Sequence, residues 1–452
     1  MKIVIVGCGK IGKSLTASLS AEDHDILIID NNSKVLSEVA DTFDVMGVCG
    51  NAVDCDTLTE AGIEDTDLLV ALTNSDEMNM LSCYLARKLG AKHTVARIRN
   101  PEYNDQSLGF LRHQLNLSIS LNPERLVAEE ISNILQLPAA ARIERFSRRN
   151  IEMIELILPK DSPLVGMSLI KARERFKANY LICTVQRNNQ VFIPDGRFVL
   201  EAGDRIGLVA KHSEISKLLS MLGLLRKQSK SVMILGGGKP SYYLAKKLVS
   251  IGVDVKIIEK NLQTCEFLAS EIPEAVIIHG DGTNQELLLE EGISNMDAFV
   301  SLTGMDEQNI MLSIFASMQN VPKVIAKINR EELVPMAERL GVESIISPSR
   351  LSTNIVVRYA RALENSKGSS VETLYKLMDG KAEALEFNIN SGSRTANIAL
   401  KDIQLKDNVI IAGITRGRKI IIPSGNDMIL EGDKVVIVSA EQRLYDIDDI
   451  LA

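Results

Sequence analysis

"GCGKIGKS", residues 7–14, satisfies two phosphate-binding patterns at once. Gly7, Gly9 and Gly12 spell the dinucleotide fingerprint G-x-G-x-x-G, whereas Gly7, Gly12, Lys13 and Ser14 spell the P-loop pattern G-x-x-x-x-G-K-[ST]. The first predicts a nicotinamide or adenine cofactor, the second an NTPase with magnesium. Both set backbone N–H groups and a helix N-terminus against phosphates, so the shared chemistry is anion binding. What separates the two lies outside these eight residues.

The chain repeats itself. "KIVIVGCGKIGKSLTASLS" (2–20) reappears as "SVMILGGGKPSYYLAKKLV" (231–249), which pairs Gly7 with Gly236 and Gly9 with Gly238. Asp30, closing "DILIID", pairs with Glu259, closing "DVKIIE". "LVALTNSDEMNM" (69–80) maps to "FVSLTGMDEQNI" (299–310), and "ARIRNPEY" to "AKINREEL", pairing Arg97 with Lys327. The register continues into "VFIPDGRFVLEAGDRIGLVA" (191–210) and "IIIPSGNDMILEGDKVVIVS" (420–439), so the order is A–B–A′–B′. At the places of Lys13 and Ser14 the repeat has Tyr242 and Tyr243, yet it keeps G-x-G and the acid. "DILIID" also mimics a Walker B strand, but no other NTPase element accompanies it. The duplication therefore selects the dinucleotide pattern and predicts Lys13 and Ser14 as exposed helix positions.

Within each A unit, strands of four to six apolar residues without alternation predict a parallel sheet buried on both faces. Strand–helix alternation makes this a doubly wound, Rossmann-like α/β fold. The first unit predicts strands at 2–6, 25–29, 45–48, 67–71 and 94–98, with a helix over about residues 10–21. "LNPERLVAEEISNILQLP" (121–138) and "SPSRLSTNIVVRYARALE" (347–364) predict helices that close each A unit, each starting around a proline. The B units are small, β-rich lobes with a short helix and turns such as "EAGDR" and "LEGDK". The polar stretch "RKQSKS" (226–231) is predicted as the hinge between halves.

In this fold Gly7 permits the tight turn, Gly9 lets a pyrophosphate approach the backbone, and Gly12 lets the helix pack on the strand. Asp30 is placed to accept both ribose hydroxyls, which favours NAD(H), or the ribose of ATP or ADP, over NADP(H). Thr73 and Asn74 follow the fourth strand and face the same crevice; Arg97 ends the fifth and could meet phosphate across it. Asn51 and Ala52 are placed to flank adenine. In the second fingerprint Ser241 replaces the third glycine and Pro240 precedes it. That leaves three uses open for it: weaker binding, a different nucleotide or a structural role.

The bulk numbers narrow the function classes. The 452 residues are 24% charged and 45% apolar, with a net charge of -8, which argues against a general nucleic-acid binder. No apolar run reaches the roughly 18 residues of a membrane span. Met1 leads directly into a strand, which leaves no room for a signal peptide. The six cysteines (Cys8, Cys49, Cys55, Cys83, Cys183, Cys265) and five histidines are scattered, which predicts reduced packing thiols and no metal site.

With "IVGCGKIG", the acid in "LIIDNN", "ALTNSDEMN", "ARIRNPEY" and the "GDR" and "GDK" turns in place, the chain resembles the TrkA family. These are cytosolic nucleotide-binding subunits of bacterial Trk potassium-uptake systems, built from two tandem regulator-of-potassium-conductance (RCK) units. The resemblance covers essentially the whole chain. It implies Rossmann-like N-lobes at 1–122 and 230–347, crossover helices at 123–139 and 348–369, and α+β C-lobes at 140–225 and 370–452. It also implies a non-enzymatic gating ring of four chains at the inner face of the membrane, beneath a potassium transporter of the TrkH type. Family nucleotide contacts would fall on Gly7, Cys8, Gly9, Lys10, Ile11, Asp30, Thr73, Asn74 and Arg97. In the second unit they would fall on Gly236, Gly237, Gly238, Lys239, Pro240 and Glu259. Some related C-lobes bind cyclic dinucleotides. The competing functions are an NAD-dependent dehydrogenase, for which the small duplicated B units offer no placed acid–base group (His212 is isolated), and a scaffold with a structural nucleotide.

Overall fold

Each unbroken apolar run becomes a strand; the central runs Lys2–Val6 and Leu68–Ala71 are covered on both faces, whereas Met46–Cys49 at the sheet edge is largely exposed. The computed structural model describes residues 1–452 except 104, 137–141, 147–150, 178, 223–228, 366–370, 379–380, 418, 441–443 and 445. The first half begins β1 (Lys2–Val6), α1 (Lys10–Ser20), β2 (Asp25–Asp30), α2 (Ser33–Phe43), β3 (Met46–Cys49), α3 (Cys55–Glu60) and β4 (Leu68–Ala71). It continues α4 (Asp76–Leu89), β5 (His93–Arg97), α5 (Asp105–Gln114), β6 (Ile119–Leu121) and α6 (Pro123–Gln136). All pairings are parallel, in the order β3-β2-β1-β4-β5-β6. Strand order reverses between β1 and β4, where ligands of such sheets bind. The sheet thus has one strand more than the five predicted; β6 is only three residues long and follows the polar α5.

The next segment is β7 (Arg142–Phe146), β8 (Ile151–Ile157), α7 (Leu169–Phe176), β9 (Tyr180–Arg187), β10 (Gln190–Phe192), β11 (Arg205–Lys211) and α8 (His212–Met221). The Rossmann pattern then returns as β12 (Ser231–Leu235), α9 (Lys239–Ser250), β13 (Asp254–Glu259), α10 (Leu262–Glu271), β14 (Val276–His279), α11 (Gln285–Glu290) and β15 (Ala298–Ser301). It closes with α12 (Asp306–Met318), β16 (Lys323–Lys327), α13 (Val334–Arg339), β17 (Ser344–Ile346) and α14 (Pro348–Asn365). Its sheet order, β14-β13-β12-β15-β16-β17, reproduces the first. Last come β18 (Val371–Leu377), β19 (Ala382–Asn388), β20 (Val409–Arg416), β21 (Lys419–Ile421) and β22 (Lys434–Ala440). Of the predicted hinge, residues 226–228 lie outside the described residues.

Like lobes pair across the sequence. One compact unit joins Met1–Leu135 to Ser229–Val357, and the other joins Gln136–Gln228 to Arg358–Ala452. In the first, α6 leaves its own sheet: Val127, Ile131 and Ile134 pack with Val232, Ile234, Leu244 and Leu248 of the second Rossmann lobe. Their spacing of four and three puts them on one helical face, and each buried side chain contributes roughly 1.5–3 kcal/mol. Reciprocally, Thr353 of α14 donates a hydrogen bond to Ser14 of α1 at 3.2 Å. Pro123 and Pro348 both open their helices, where a missing N–H costs nothing.

In the second unit the antiparallel sheets run β10-β9-β11-β8-β7 and β18-β19-β22-β20-β21. Ile151, Met153 and Val209 of one share an apolar cluster with Met378, Val436 and Val438 of the other. The "GDR" and "GDK" turns are built alike: Arg187 donates to both oxygens of buried Asp204 at 2.8 Å, and Arg416 to those of Asp433 at 2.9 and 2.8 Å. Among the described residues the second lobe has a 3-10 turn, Leu400–Asp402, where the first has α7.

Candidate functional site

Three glycines shape the β1–α1 turn. Gly7 has φ +88°, and its N–H donates to Ile29 O at 2.8 Å. A Cβ on Gly12 would stand 2.3 Å from Gly7 O, so the helix can lie against the turn only because none is there. Around Gly9 a Cβ would meet nothing within 4 Å. Gly9 is also the N-cap of α1 and offers no side chain to its first-turn amides, which leaves that end of the helix to attract an anion.

Asp30 closes β2 beside this turn. Its Oδ2 accepts the Cys8 N–H at 2.7 Å and its Oδ1 the Asn32 N–H at 2.9 Å. Each oxygen keeps a further lone pair, the requirement for accepting two vicinal hydroxyls. Burial, aided by the Asp30 charge, pushes the Cys8 thiol up to about 11, so its side chain packs while its N–H serves the turn. The second lobe repeats the arrangement with exchanged volumes. Glu259 accepts Gly237 N–H at 2.6 Å and Asn261 N–H at 2.7 Å, and its extra methylene fills the space that a side chain on Gly237 would need. The Ser241 hydroxyl donates to Gly236 O, which answers how a serine replaces the third glycine.

The ends of β4 and β5 are tied together by two residues that sequence reasoning missed. Asn79, fully buried on α4, accepts the Thr73 N–H and hydroxyl and donates to Thr73 O and Arg97 O. Asp76, one turn earlier, accepts the N–H groups of Arg99 and Asn100, both at 2.8 Å. Asp306 and Asn309 make the equivalent bonds in the second lobe. The repeated D-x-x-N of "SDEMN" and "MDEQN" was the available signal. Arg97 is 8% exposed; its Nη2 donates to Thr73 O and to Asn74 Oδ1 at 3.2 Å, and its Nε has no hydrogen-bond partner among the described residues. Burial foremost, then the neighbouring Arg99, lowers the Arg97 pKa to about 10.

These parts surround one cleft of about 920 Å³ in the first unit. Gly7, Cys8, Gly9, Lys10, Ile11, Gly12, Asp30, Asn51, Ala52, Thr73, Asn74 and Arg97 all line it. So do Glu124 and Val127 from the start of α6, and Lys239, Pro240, Lys327, Asn329, Pro348 and Ser349 from the second lobe. Gly236, Gly237, Gly238 and Glu259, predicted together with Lys239 and Pro240, stand at the second lobe's own turn rather than in this lining. Burial first, with repulsion from Lys10, holds Lys327 below its ordinary 10.5, although Asp306 and Glu124 oppose the shift. The cleft thus joins a carboxylate with free acceptor capacity, a bare helix N-terminus and recessed cations from two lobes.

Lys13 and Ser14 point elsewhere. Lys13 Nζ pairs with Glu38 at 3.1 Å, and Ser14 meets Thr353. Both are half-buried rather than the exposed positions predicted, because α2 and α14 flank this side of α1. Among the described residues no group of three or more His, Cys, Asp and Glu side chains could hold a metal. No described helix is long and apolar enough to cross a membrane.

Residues 3–109 and 232–348 match the TrkA-N domain family, and residues 153–223 and 384–452 the TrkA-C domain family. The chain is 32% identical over 450 residues to a Trk system potassium uptake protein TrkA homolog of Archaeoglobus fulgidus, with 100% of both chains covered. It is 33% identical to the Trk system potassium uptake protein TrkA of Vibrio alginolyticus, over 98% of this chain and 96% of that one. The crystal structure of the GsuK RCK domain shares the fold at a TM-score of 0.63 and 18% identity, covering 97% of this chain and 92% of that one.

Proposed function

This chain belongs to the TrkA family of Trk-system potassium uptake proteins, and on that premise we propose that it is the nucleotide-sensing regulatory subunit of a membrane potassium-uptake transporter. The observation that carries this is the two-lobed lining of the cleft. The first lobe supplies Asp30 and the 7–12 turn, while the second supplies Lys239 and Lys327. A ligand held on one lobe lies within reach of the other.

The residues present fit an adenine nucleotide, NAD(H) or ATP/ADP. Asp30 takes the ribose hydroxyls, and the α1 amides behind Gly9 take the phosphates. Arg97, Lys239 and Lys327 add positive charge, and Asn51 and Ala52 flank the base. When bound, the nucleotide supplies anionic phosphates whose contacts depend on how the two lobes stand. A ligand shifts such an equilibrium only by its difference in affinity for the two arrangements. Moving 1:99 to 99:1 takes about 5.5 kcal/mol. Over the four equal sites of a tetramer that is about 1.4 kcal/mol each, a tenfold preference, which one altered phosphate contact can supply. The ring would dock on a transporter of the TrkH type at the inner membrane face. The retained Glu259 clamp supports a second nucleotide site in the other lobe. The charged side chains lining the cleft, namely Lys10, Asp30, Arg97, Glu124, Lys239 and Lys327, suit anion and hydroxyl recognition better than hydride transfer.

Titration of the purified protein with NAD+, NADH, ATP and ADP tests this. At least one should bind, and Asp30→Ala should weaken it. Steady turnover of NADH with a hydroxy acid, amino acid or alcohol would favour the dehydrogenase instead.

A further inference from the structure

Asn79 lies outside the cleft lining, yet its whole amide is spent on the two strand ends that bring Thr73 and Arg97 to it. Oδ1 accepts the Thr73 N–H at 2.8 Å and the Thr73 hydroxyl at 2.7 Å. Nδ2 donates to Thr73 O at 3.1 Å and to Arg97 O at 2.9 Å. A buried amide with four bonds has one stable orientation, because any other leaves several buried groups unpaired. Thr73 O is also the anchor for Arg97 Nη2. Asn79 therefore fixes Arg97 at both ends: its main chain directly, its guanidinium through that shared carbonyl.

We infer that Asn79 is a positioning residue for a phosphate group in the cleft. By setting where the Arg97 guanidinium stands, it aligns the donors left over from the Thr73 and Asn74 bonds with the ligand's anionic oxygens. The inference rests on the reading that a nucleotide phosphate binds beside α1. The second lobe differs. Asn309 makes the same four bonds, one of them to Lys327 O, but Lys327 Nζ reaches Leu302 O at 3.4 Å, a carbonyl that Asn309 does not hold.

The test is calorimetric titration of the full chain with ADP and with adenosine, which differ only in the phosphates. In Asn79→Ala the advantage of ADP over adenosine should fall about tenfold, equal to about 1.4 kcal/mol. Adenosine affinity should hold. In an Arg97→Ala background, Asn79→Ala should add nothing to the loss. Asn79→Ser serves the same comparison should the alanine variant fold poorly. Equal loss for ADP and adenosine, or an additive loss in Arg97→Ala, would each overturn the positioning role. No ADP advantage in the wild-type protein would instead overturn the nucleotide reading of the cleft, and this inference with it.

Discussion

Asp30 Oδ2 accepts the backbone N–H of Cys8 at 2.7 Å, so the acid that ends β2 also holds the turn that follows β1. One side chain shapes the β1–α1 turn and faces the cleft. Asp30→Ala should therefore weaken nucleotide binding by about 1.5–3 kcal/mol, the range for hydrogen bonds to a charged group. Asp30→Asn should lose less, because an amide oxygen can still accept from one of the two N–H groups. Calorimetric titration of both variants checks the ranking, and equal losses would contradict it.

Gly9 and Gly12 separate binding from folding. Gly9 has φ -72° and free space around its missing Cβ, so Gly9→Ala should leave the melting temperature nearly unchanged while obstructing a phosphate. Gly12→Ala sets a Cβ 2.3 Å from Gly7 O and should cost about 1–3 kcal/mol of stability through forced displacement of α1. Thermal denaturation alongside titration distinguishes the two. A large stability loss in Gly9→Ala would contradict the assignment of that space to ligand.

Lys13 offers the opposite expectation. Its pair with Glu38 stays open to solvent, mainly on the glutamate side, and contributes about 0–1 kcal/mol at most. Lys13→Ala should bind nucleotide as the wild type does, with no dependence on magnesium. Abolished binding in that variant would restore the P-loop assignment.

Much of this was legible in the sequence for a physical reason. Two copies in nearly one register reveal which residues the fold requires, and the first two glycines and the acids Asp30 and Glu259 stand at corresponding places in both. Pro123 and Pro348 marked helix starts because nothing else in a helix tolerates proline so well. Asn79 was hidden because a polar residue on a helix ordinarily reads as surface, and its role depends on carbonyls 6 and 18 residues away. Short β6 was hidden by the polar α5, with Phe110 exposed and Arg112 and His113 in its last turn. That Lys239 and Lys327 line the first lobe's cleft follows from α6 crossing into the second lobe's core, a contact between segments a hundred residues apart that no local pattern encodes.

The cations of the cleft give a pH dependence. Burial holds the Arg97 pKa down at about 10 and that of Lys327 below its ordinary 10.5. Bound phosphate favours the charged forms and raises both values. Binding should therefore take up protons in this alkaline window, and affinity should fall as pH rises through it. Phosphate-dependent affinity measured from neutral pH to pH 10 checks the sign. An affinity that rises with pH would exclude both cations from the site.

The most direct test is potassium flux through the transporter of the same system, reconstituted in vesicles with this protein and measured against nucleotide concentration. Flux should change with at least one of NAD+, NADH, ATP and ADP, and that response should vanish in Asp30→Ala while protein remains bound to the transporter. Flux indifferent to all four, or a response that survives Asp30→Ala unchanged, would contradict a regulatory role for the cleft.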